Sequence, residues 1–468
     1  MQFVIFGAGL WGARFYVEFN KSYDIACFCD NDPEKQGKDY LGMPVIAPEE
    51  IKERGLSVII PSKKHFEMAQ QLFELGIKEF HLLNPENKWK VTYIDLTPFD
   101  SLSTNPNRIY VCKDSGVGSN EYALVKYNPY DDIELVLGSD DIDTHNYDIY
   151  KDGTNYYAYF ASRLIISQQL RHLKGKKCIE LWHGFTVKAL WNATFSDYEK
   201  EMFSCVADKF CHIDAICSYS RLYNIFFGYC AGVEQDKFRI TGMPRNDLLL
   251  LSDAEANIKK VFGGFPQKNI IFYLPTHRDY YDKEIDGSSI NGHAFFWSDF
   301  DIDDFNIFLR ENDILFIVKF HFYELERFKA KESENIRNLN DDMLIANDLA
   351  LYEILGAADL LLTDYSSVSV DYLLLDSPIV FAIRDIDEYS TTRGLMTEPF
   401  DAWAAGETVQ DYASLKNAIH KALFDDDKFK EKRDMMRRIM HKYDDAQSTK
   451  RVLDLAREIL RSGGSDGK

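Results

Sequence analysis

At 468 residues, with 46% apolar and 28% charged side chains, the chain has the composition of a folded globular protein and too much length for one core; about 150 residues per domain implies three. The formal net charge of −21 excludes broad, sequence-independent nucleic-acid binding, which depends on accumulated Lys and Arg. No apolar run reaches the roughly 20 residues that span a bilayer, and the N-terminus lacks the basic and apolar regions of a signal peptide, so a cytoplasmic location is expected.

The chain opens on "FVIFGAGLWG" (3–12), an apolar strand entering Gly7, Gly9 and Gly12 in the spacing of a dinucleotide-binding turn. Asp30 ends the next strand (25–30), where a ribose-binding carboxylate would sit. A turn-rich stretch, a helix start at "APEEIKERG", a strand "SVIIPS", a helix and a strand "EFHLLN" follow, the alternation of βα units. This predicts a small Rossmann-like domain over 1–88, with Gly7, Gly9, Gly12 and Asp30 as candidate nucleotide contacts. It is half a dinucleotide fold, and no hydride-transfer apparatus accompanies it. The segment resembles the small Rossmann-like modules attached to sugar-modifying and acyl-transferring enzymes of surface-polysaccharide pathways.

Residues 89–262 read as a second α/β unit, with strands at "RIYVC", "IELVLG", "KCIELWHG", "DAICSYS" and "KFRITG". Residues 263–468 read as a third, with strands at "NIIFYLPT", "DILFIVKF", "DMLIAND", "ADLLLTD" and "SPIVFAI", then helices. Two consecutive α/β units favour a ligand at the carboxyl ends of their strands. Eight cysteines without CxxC spacing read as reduced core thiols. A basic stretch, "KFKEKRDMMRRIMHK" (428–442), is a solvated helix or a contact for anionic lipid.

Five blocks place polar groups at the ends of apolar strands: "ELWHGFTVKALW" (180–191), "ITGMPRNDLL" (240–249), "YLPTHRDYY" (273–281), "IVKFHF" (317–322) and "LLLTDYSSVSVDYLLLDSPIVF" (360–381). In the first, a buried strand delivers His183 to a turn where Gly184 leaves room beside the ring, a placement suited to proton transfer or to a histidine held by a backbone carbonyl. In the last, Thr363, Asp364, Ser366 and Ser367 form the turn between a strand and a helix, aiming backbone N–H groups and hydroxyls at an anion, or simply capping the helix. Arg245 and Asn246 after "GMP", Thr276 and Arg278 in "LPTHR", and Lys319 and His321 in "VKFH" add donors at strand ends. Together they suggest a diphosphate cleft.

These blocks, with "EY…RG" after the last, closely resemble the CDP-glycerol glycerophosphotransferases, the teichoic-acid primases and polymerases that build phosphate-linked bacterial surface polymers. The resemblance runs in order from about Lys177 to about Leu460, and "DSGVGSNEYALVKY" (114–127) is similar to a degraded form of the family's acceptor-side opening segment. It implies a two-lobed GT-B fold, acceptor on the first lobe and CDP-linked donor on the second. Carried over, His183 is the general base on the acceptor hydroxyl. His321, Arg278 and the Ser366/Ser367 turn hold the pyrophosphate, Asp364 orients a neighbouring donor, and Asp371 faces ribose or solvent. The implied reaction is attack of a glycan or lipid-linked hydroxyl on the β-phosphorus of a CDP-polyol (glycerol or ribitol), releasing CMP, in teichoic-acid-like or capsular polymer synthesis.

No obligatory cofactor or protein-bound metal is expected; nucleotide in the N-terminal module, peripheral contact with the cytoplasmic membrane and homo-oligomerisation are compatible with this reading. Two positions depart from the family: Phe322 where a proline is common, and Phe185-Thr186-Val187 after "WHG". The first bears on the donor loop and the second on the acceptor. Alternatives are a GT-B glycosyltransferase using a nucleotide sugar and a non-catalytic nucleotide-sensing scaffold.

Overall fold

The computed structural model describes residues 1–62, 65–84, 90–97, 105–112, 119–138, 159–168, 176–195, 197–276, 297, 299–320 and 332–462. The chain forms two compact units, one of residues 1–113, 130–167 and 171–177, the other of residues 114–129, 168–170 and 178–468.

The first unit begins with a seven-stranded sheet: β1 (Phe3–Phe6), β2 (Ile25–Cys29), β3 (Asp39–Tyr40), β4 (Met43–Ile46), β5 (Ser57–Ile60), β6 (Glu79–Asn84) and β7 (Lys90–Asp95). Their order is β3-β4-β2-β1-β5-β6-β7, parallel except for β3 and β7 at the edges. Successive side chains of β1 enter different cores. Ile5 packs with Phe15, Phe28 and Ile59, whereas Val4 and Phe6 pack with Ala69 and Leu72. Both faces are therefore covered, which explains why β1 and β5 are continuous apolar runs. Strands β3 and β4 lie in the stretch that reads as turns, and β7 extends this sheet past residue 88, beyond the boundary the sequence suggests. The unit continues with parallel strands β8 (Arg108–Cys112), β9 (Glu134–Gly138) and β10 (Leu164–Ser167), with β8 between the other two. The four-residue run of β10 is not legible in the sequence.

The glycine turn after β1 is sterically closed. Gly7 has φ of +112°, and a Cβ on Gly12 would lie 2.0 Å from the Gly7 carbonyl oxygen. Gly12→Ala should therefore force the turn apart and destabilise the unit by about 1–3 kcal/mol, measured as a lower denaturation midpoint, whereas Gly9→Ala, with open space around it, should be tolerated.

In the second unit, β11 (Lys177–Glu180), β12 (Ala215–Ser218) and β13 (Phe238–Ile240) run parallel, with β12 in the middle. A separate parallel sheet comprises β14 (Asn269–Leu274), β15 (Ile314–Val318), β16 (Ile336–Asn338), β17 (Leu360–Thr363), β18 (Ile379–Ala382) and β19 (Glu407–Val409), in the order β16-β15-β14-β17-β18-β19. Chain order runs outward in opposite directions from β14 and β17, so the crevice beyond their carboxyl ends is the topological switch point.

One expected strand is a helix. "DMLIAND" forms Asp341–Ala346, because the Asn340 side chain accepts the Met343 N–H (2.9 Å) and Asp341 and Asp342 occupy the first turn, a cap and charge pattern that favours a helix start. The C-terminal helix Ser448–Ser462 is anchored by Asp247, whose two oxygens accept the N–H groups of Ser448 (3.0 Å) and Thr449 (2.7 Å).

Candidate active site

At the switch point, β14 and β17 are stitched together beyond their last ladder bonds. Thr363 Oγ1 donates to the Leu274 carbonyl (2.6 Å), and the Thr276 N–H donates to Asp364 Oδ1 (2.8 Å). Asp364 thus orients a neighbouring backbone donor and fixes the start of the segment that leads to Arg278. Ser366 and Ser367 are half-buried at the start of the helix Val368–Tyr372, and Ser369 bonds back to the Ser366 carbonyl through both its N–H and its hydroxyl. Among the described residues, the N–H groups of Ser366, Ser367 and Val368 have no acceptor, and the buried Thr276 hydroxyl has no partner. Lys319, at the end of β15, pairs with Asp341 (3.0 Å).

His183 projects from the turn after β11. Trp182, immediately before it, has φ of +56°, and its ring lies 4.1 Å from the imidazole at 32°. A bulky residue in that region costs about 1–3 kcal/mol and persists only where its surroundings fix it. Two contacts fix it here: Asn120 Nδ2 donates to the Trp182 carbonyl (3.4 Å), and Arg245 Nη1 donates to the His183 carbonyl (2.6 Å). Gly184 then meets the serine turn directly, since a Cβ there would lie 2.4 Å from Ser367 Oγ. The fold therefore brings the two most reactive blocks into contact.

Burial, and secondarily the Arg245 and Lys188 charges, push the His183 imidazole down to about 4, against a smaller opposing effect of the Gln168 carbonyl. The ring is neutral at pH 7, and its Nδ1 is buried with no hydrogen-bond partner among the described residues. His65 is pushed down to about 3 by burial, and His81 and His441 are also lowered. Between about pH 6.5 and 4 the unfolded chain binds protons that these folded sites refuse, so stability is highest above 6.5 and falls as pH falls. The melting temperature should decrease from pH 7 to pH 5, with a shallower slope in His183→Asn.

Arg245 and Asp371 do not face an open cleft. Both are buried, and the guanidinium Nη2 meets Asp371 Oδ2 (2.5 Å) and the Tyr219 hydroxyl (2.9 Å). Tyr352 donates to the same Asp371 oxygen (2.6 Å) while the guanidinium lies over its ring at 4.9 Å. Asp371 consequently faces protein, contrary to the expectation of ribose or solvent. Asn246 is buried beside Arg245 with its Oδ1 unpartnered among the described residues. Arg278, His321 and Phe322 lie outside the described residues. Phe185 packs against Tyr219 and Tyr223, and the segment after it is tied to the "RG" block by the Ala189 N–H to Gly394 carbonyl bond (3.0 Å).

In the N-terminal module Asp30 is already engaged. Its oxygens accept the Ala8 N–H (2.8 Å), the Asp32 N–H (3.0 Å) and Lys35 Nζ (3.1 Å), and Lys35 also reaches the Ala8 carbonyl. The carboxylate locks the glycine turn instead of presenting itself to a ribose, so the residues present do not favour a dinucleotide there. The basic helix Lys430–Met440 is likewise occupied. Arg433 pairs with Asp427 and Asp376, Lys430 with Asp376, Arg437 with Asp434 and Asp444, and Lys432 donates to the Asp401 carbonyl. Most of these contacts come from carboxylates outside the stretch, which its sequence does not reveal. Six cysteines are buried, as expected of core thiols, but Cys205 and Cys211 are exposed. Among the described residues no helix is long and apolar enough to cross a membrane.

The supporting residues Asn120, Gln168, Tyr219, Tyr352 and Asp247 are not legible as functional in the sequence. Asn120 and Asp247 lie in segments that carry the family resemblance, but neither is singled out there as a site residue. Buried amides and phenols carry no spacing signal, because their partners come from distant elements.

The model of the CDP-glycerol:poly(glycerophosphate) glycerophosphotransferase family matches residues 97–457. The chain belongs to this family. A second model, for the N-terminal domain of C2185-like proteins, matches residues 1–83. The chain is 26% identical over 319 residues to the teichoic acid glycerol-phosphate primase of Bacillus subtilis (strain 168), covering 65% of this chain and 76% of the primase. It is 24% identical over 298 residues to the teichoic acid ribitol-phosphate polymerase TarL of Staphylococcus aureus (strain NCTC 8325 / PS 47), covering 61% of this chain and about half, 48%, of TarL. Structures of the wall teichoic acid polymerase TagF share the fold, with TM-score 0.60 at 18% identity over 76% of this chain and 90% of TagF. A TagF variant with CDPG matches at TM-score 0.61 and 19% identity, with the same coverage. The architecture is thus α/β, a small N-terminal parallel-sheet module followed by the two-lobed GT-B arrangement expected from the sequence.

Proposed function

We propose that this glycerophosphotransferase-family enzyme moves glycerol phosphate or ribitol phosphate from a CDP-linked donor to a hydroxyl of a glycan or lipid-linked acceptor and releases CMP. The carrying observation is the meeting of the His183 turn with the Ser366–Ser367 turn at the switch point, which puts a neutral base beside a cluster of anion donors. Phosphoryl transfer needs mainly alignment and neutralisation of spreading charge. His183 accepts the proton of the acceptor hydroxyl as its oxygen attacks the β-phosphorus. The bond from that phosphorus to the bridging oxygen breaks, and the electron pair leaves with CMP. The serine turn, with Arg278 and His321, stabilises the departing phosphate, while Asp364 holds Thr276 and the strand end in place. Acceptor binding belongs to residues 89–262 and donor binding to 263–468. A lipid-linked acceptor would bring the protein to the inner face of the membrane.

The test is nucleotide release from CDP-glycerol, CDP-ribitol and a UDP-sugar in the presence of glycan and lipid-linked acceptors. CMP released from a CDP-polyol supports the reading. UDP released from the sugar donor with the CDP-polyols inert would instead make the protein a glycosyltransferase.

A further inference from the structure

We infer that the buried Arg245–Asp371 pair is a positioning clamp that sets the approach of His183 to the Ser366–Ser367 turn, and that neither side chain contacts substrate. This rests on the assignment of His183 as base. Arg245 stands at the start of the helix Pro244–Leu251, and Asp371 stands one helical turn beyond Ser367. The guanidinium bridges three elements: Nη1 holds the His183 carbonyl (2.6 Å), and Nη2 holds Asp371 (2.5 Å) and Tyr219 (2.9 Å). Tyr352 lies against the guanidinium at 4.9 Å. A guanidinium has five N–H donors. Nη1 and Nη2 each meet protein partners, and Nε is buried with no partner among the described residues.

The circuit closes through Asn120, which accepts the Arg245 N–H (3.0 Å) and donates to the carbonyl of the strained Trp182 (3.4 Å). Both peptide carbonyls flanking the His183 Cα are therefore held by one connected network, and the network ends on the helix that carries the serine turn. The close contact of Gly184 with Ser367 Oγ lies at the centre of what the clamp sets. Replacing a buried ion pair by packed apolar groups is often neutral or stabilising, so stability alone does not account for a pair in this location.

The test is the double variant Arg245→Met/Asp371→Leu, which removes both charges together and should stay folded and denature at a higher temperature than Asp371→Ala, which strands the guanidinium. With a CDP-polyol its kcat should fall about 100-fold while the donor KM changes by less than about threefold, the signature of lost alignment. Arg245→Lys, which keeps the charge but not the planar fork, should recover only part of the rate. A folded double variant with wild-type kcat overturns the clamp, as does a raised KM at unchanged kcat, which would make Arg245 a substrate contact. A crystal structure of the variant decides independently of activity. Trp182 relaxing to negative φ with Gly184 parted from Ser367 supports the clamp, and retention of both features overturns it. Inactivity of the wild-type protein with every CDP-polyol would overturn the transfer reading, and the crystal structure of the variant would then decide the clamp by itself.

Discussion

His183→Ala should lower the rate of CMP release from a CDP-polyol by about 10²–10⁴-fold, the range contributed by a positioned general base, with the fold retained. The size follows from the site's geometry. The imidazole lies on a turn held at two successive carbonyls, and its pKa is pushed down to about 4, first by burial and then by Arg245. It is therefore unprotonated at neutral pH, the form a general base needs, and the Arg245 and Asn120 groups that hold its turn cannot accept the proton in its place. Arg245 is held cationic by Asp371 and two phenols despite its burial, and Asn120 and Gln168 are neutral amides. Donor binding should survive, because the anion donors at Ser366 and Ser367 are untouched. Donor KM and kcat measured for wild type and variant, with circular dichroism as the control for folding, check this; a His183→Ala enzyme within threefold of the wild-type kcat removes the histidine from the mechanism.

Asp371→Ala should destabilise the protein by about 3–5 kcal/mol, because it leaves the Arg245 guanidinium buried without its counter-charge. Arg245 and Asp371 are 3% and 0% exposed, so water cannot take over the role of the lost carboxylate. The Tyr352 hydroxyl loses its acceptor in the same substitution, adding an unsatisfied buried donor. Urea denaturation of the intact chain should show the loss as an earlier unfolding transition. The contrast with Arg245→Met/Asp371→Leu is informative: one substitution leaves a charge stranded, whereas two remove the pair.

Much of this site is legible in the sequence for a definite reason. His183, Gly184, Thr276, Asp364, Ser366 and Ser367 all follow apolar strands, and the chemistry of a parallel sheet is displayed at strand ends. The structure joins them through the Asp364 to Thr276 bond and the Gly184–Ser367 contact. Arg245 and Asp371 are also visible as charged residues beside apolar runs, but their partners are not. A charge in a sequence reads as a ligand contact until a distant element supplies its counter-ion, and here that element is 126 positions away. The same reason explains Asp30, engaged by Lys35 and the Ala8 N–H, and the basic stretch 428–442, in which Lys430, Arg433 and Arg437 pair with Asp376, Asp427 and Asp444. The helix Asp341–Ala346 shows a different limit. Its apolar "MLIA" core fits a short strand as well as a helix, and the deciding signal is the Asn340 cap. Strands β3, β16 and β19 are two or three residues long, too short to show a period.

The family resemblance adds what the residues alone leave open. Strand-end His, Ser and Arg groups fit several phosphate-handling reactions, whereas the ordered blocks from "LWHG" to "DYSSVSVDY" single out the glycerophosphotransferases, and the match over residues 97–457 places the chain among them. The N-terminal module has its own glycine turn and its own switch point between β1 and β5, yet its carboxylate is spent on the turn itself. The proposed chemistry accordingly belongs to the second unit.

The most direct measurement is product analysis by mass spectrometry and phosphorus NMR after incubating the protein with CDP-glycerol or CDP-ribitol and a hydroxyl acceptor. The account predicts one CMP released for each polyol phosphate gained, with the new linkage a phosphodiester. A product that gains a sugar through a glycosidic bond from a nucleotide sugar, with every CDP-polyol left intact, would contradict it.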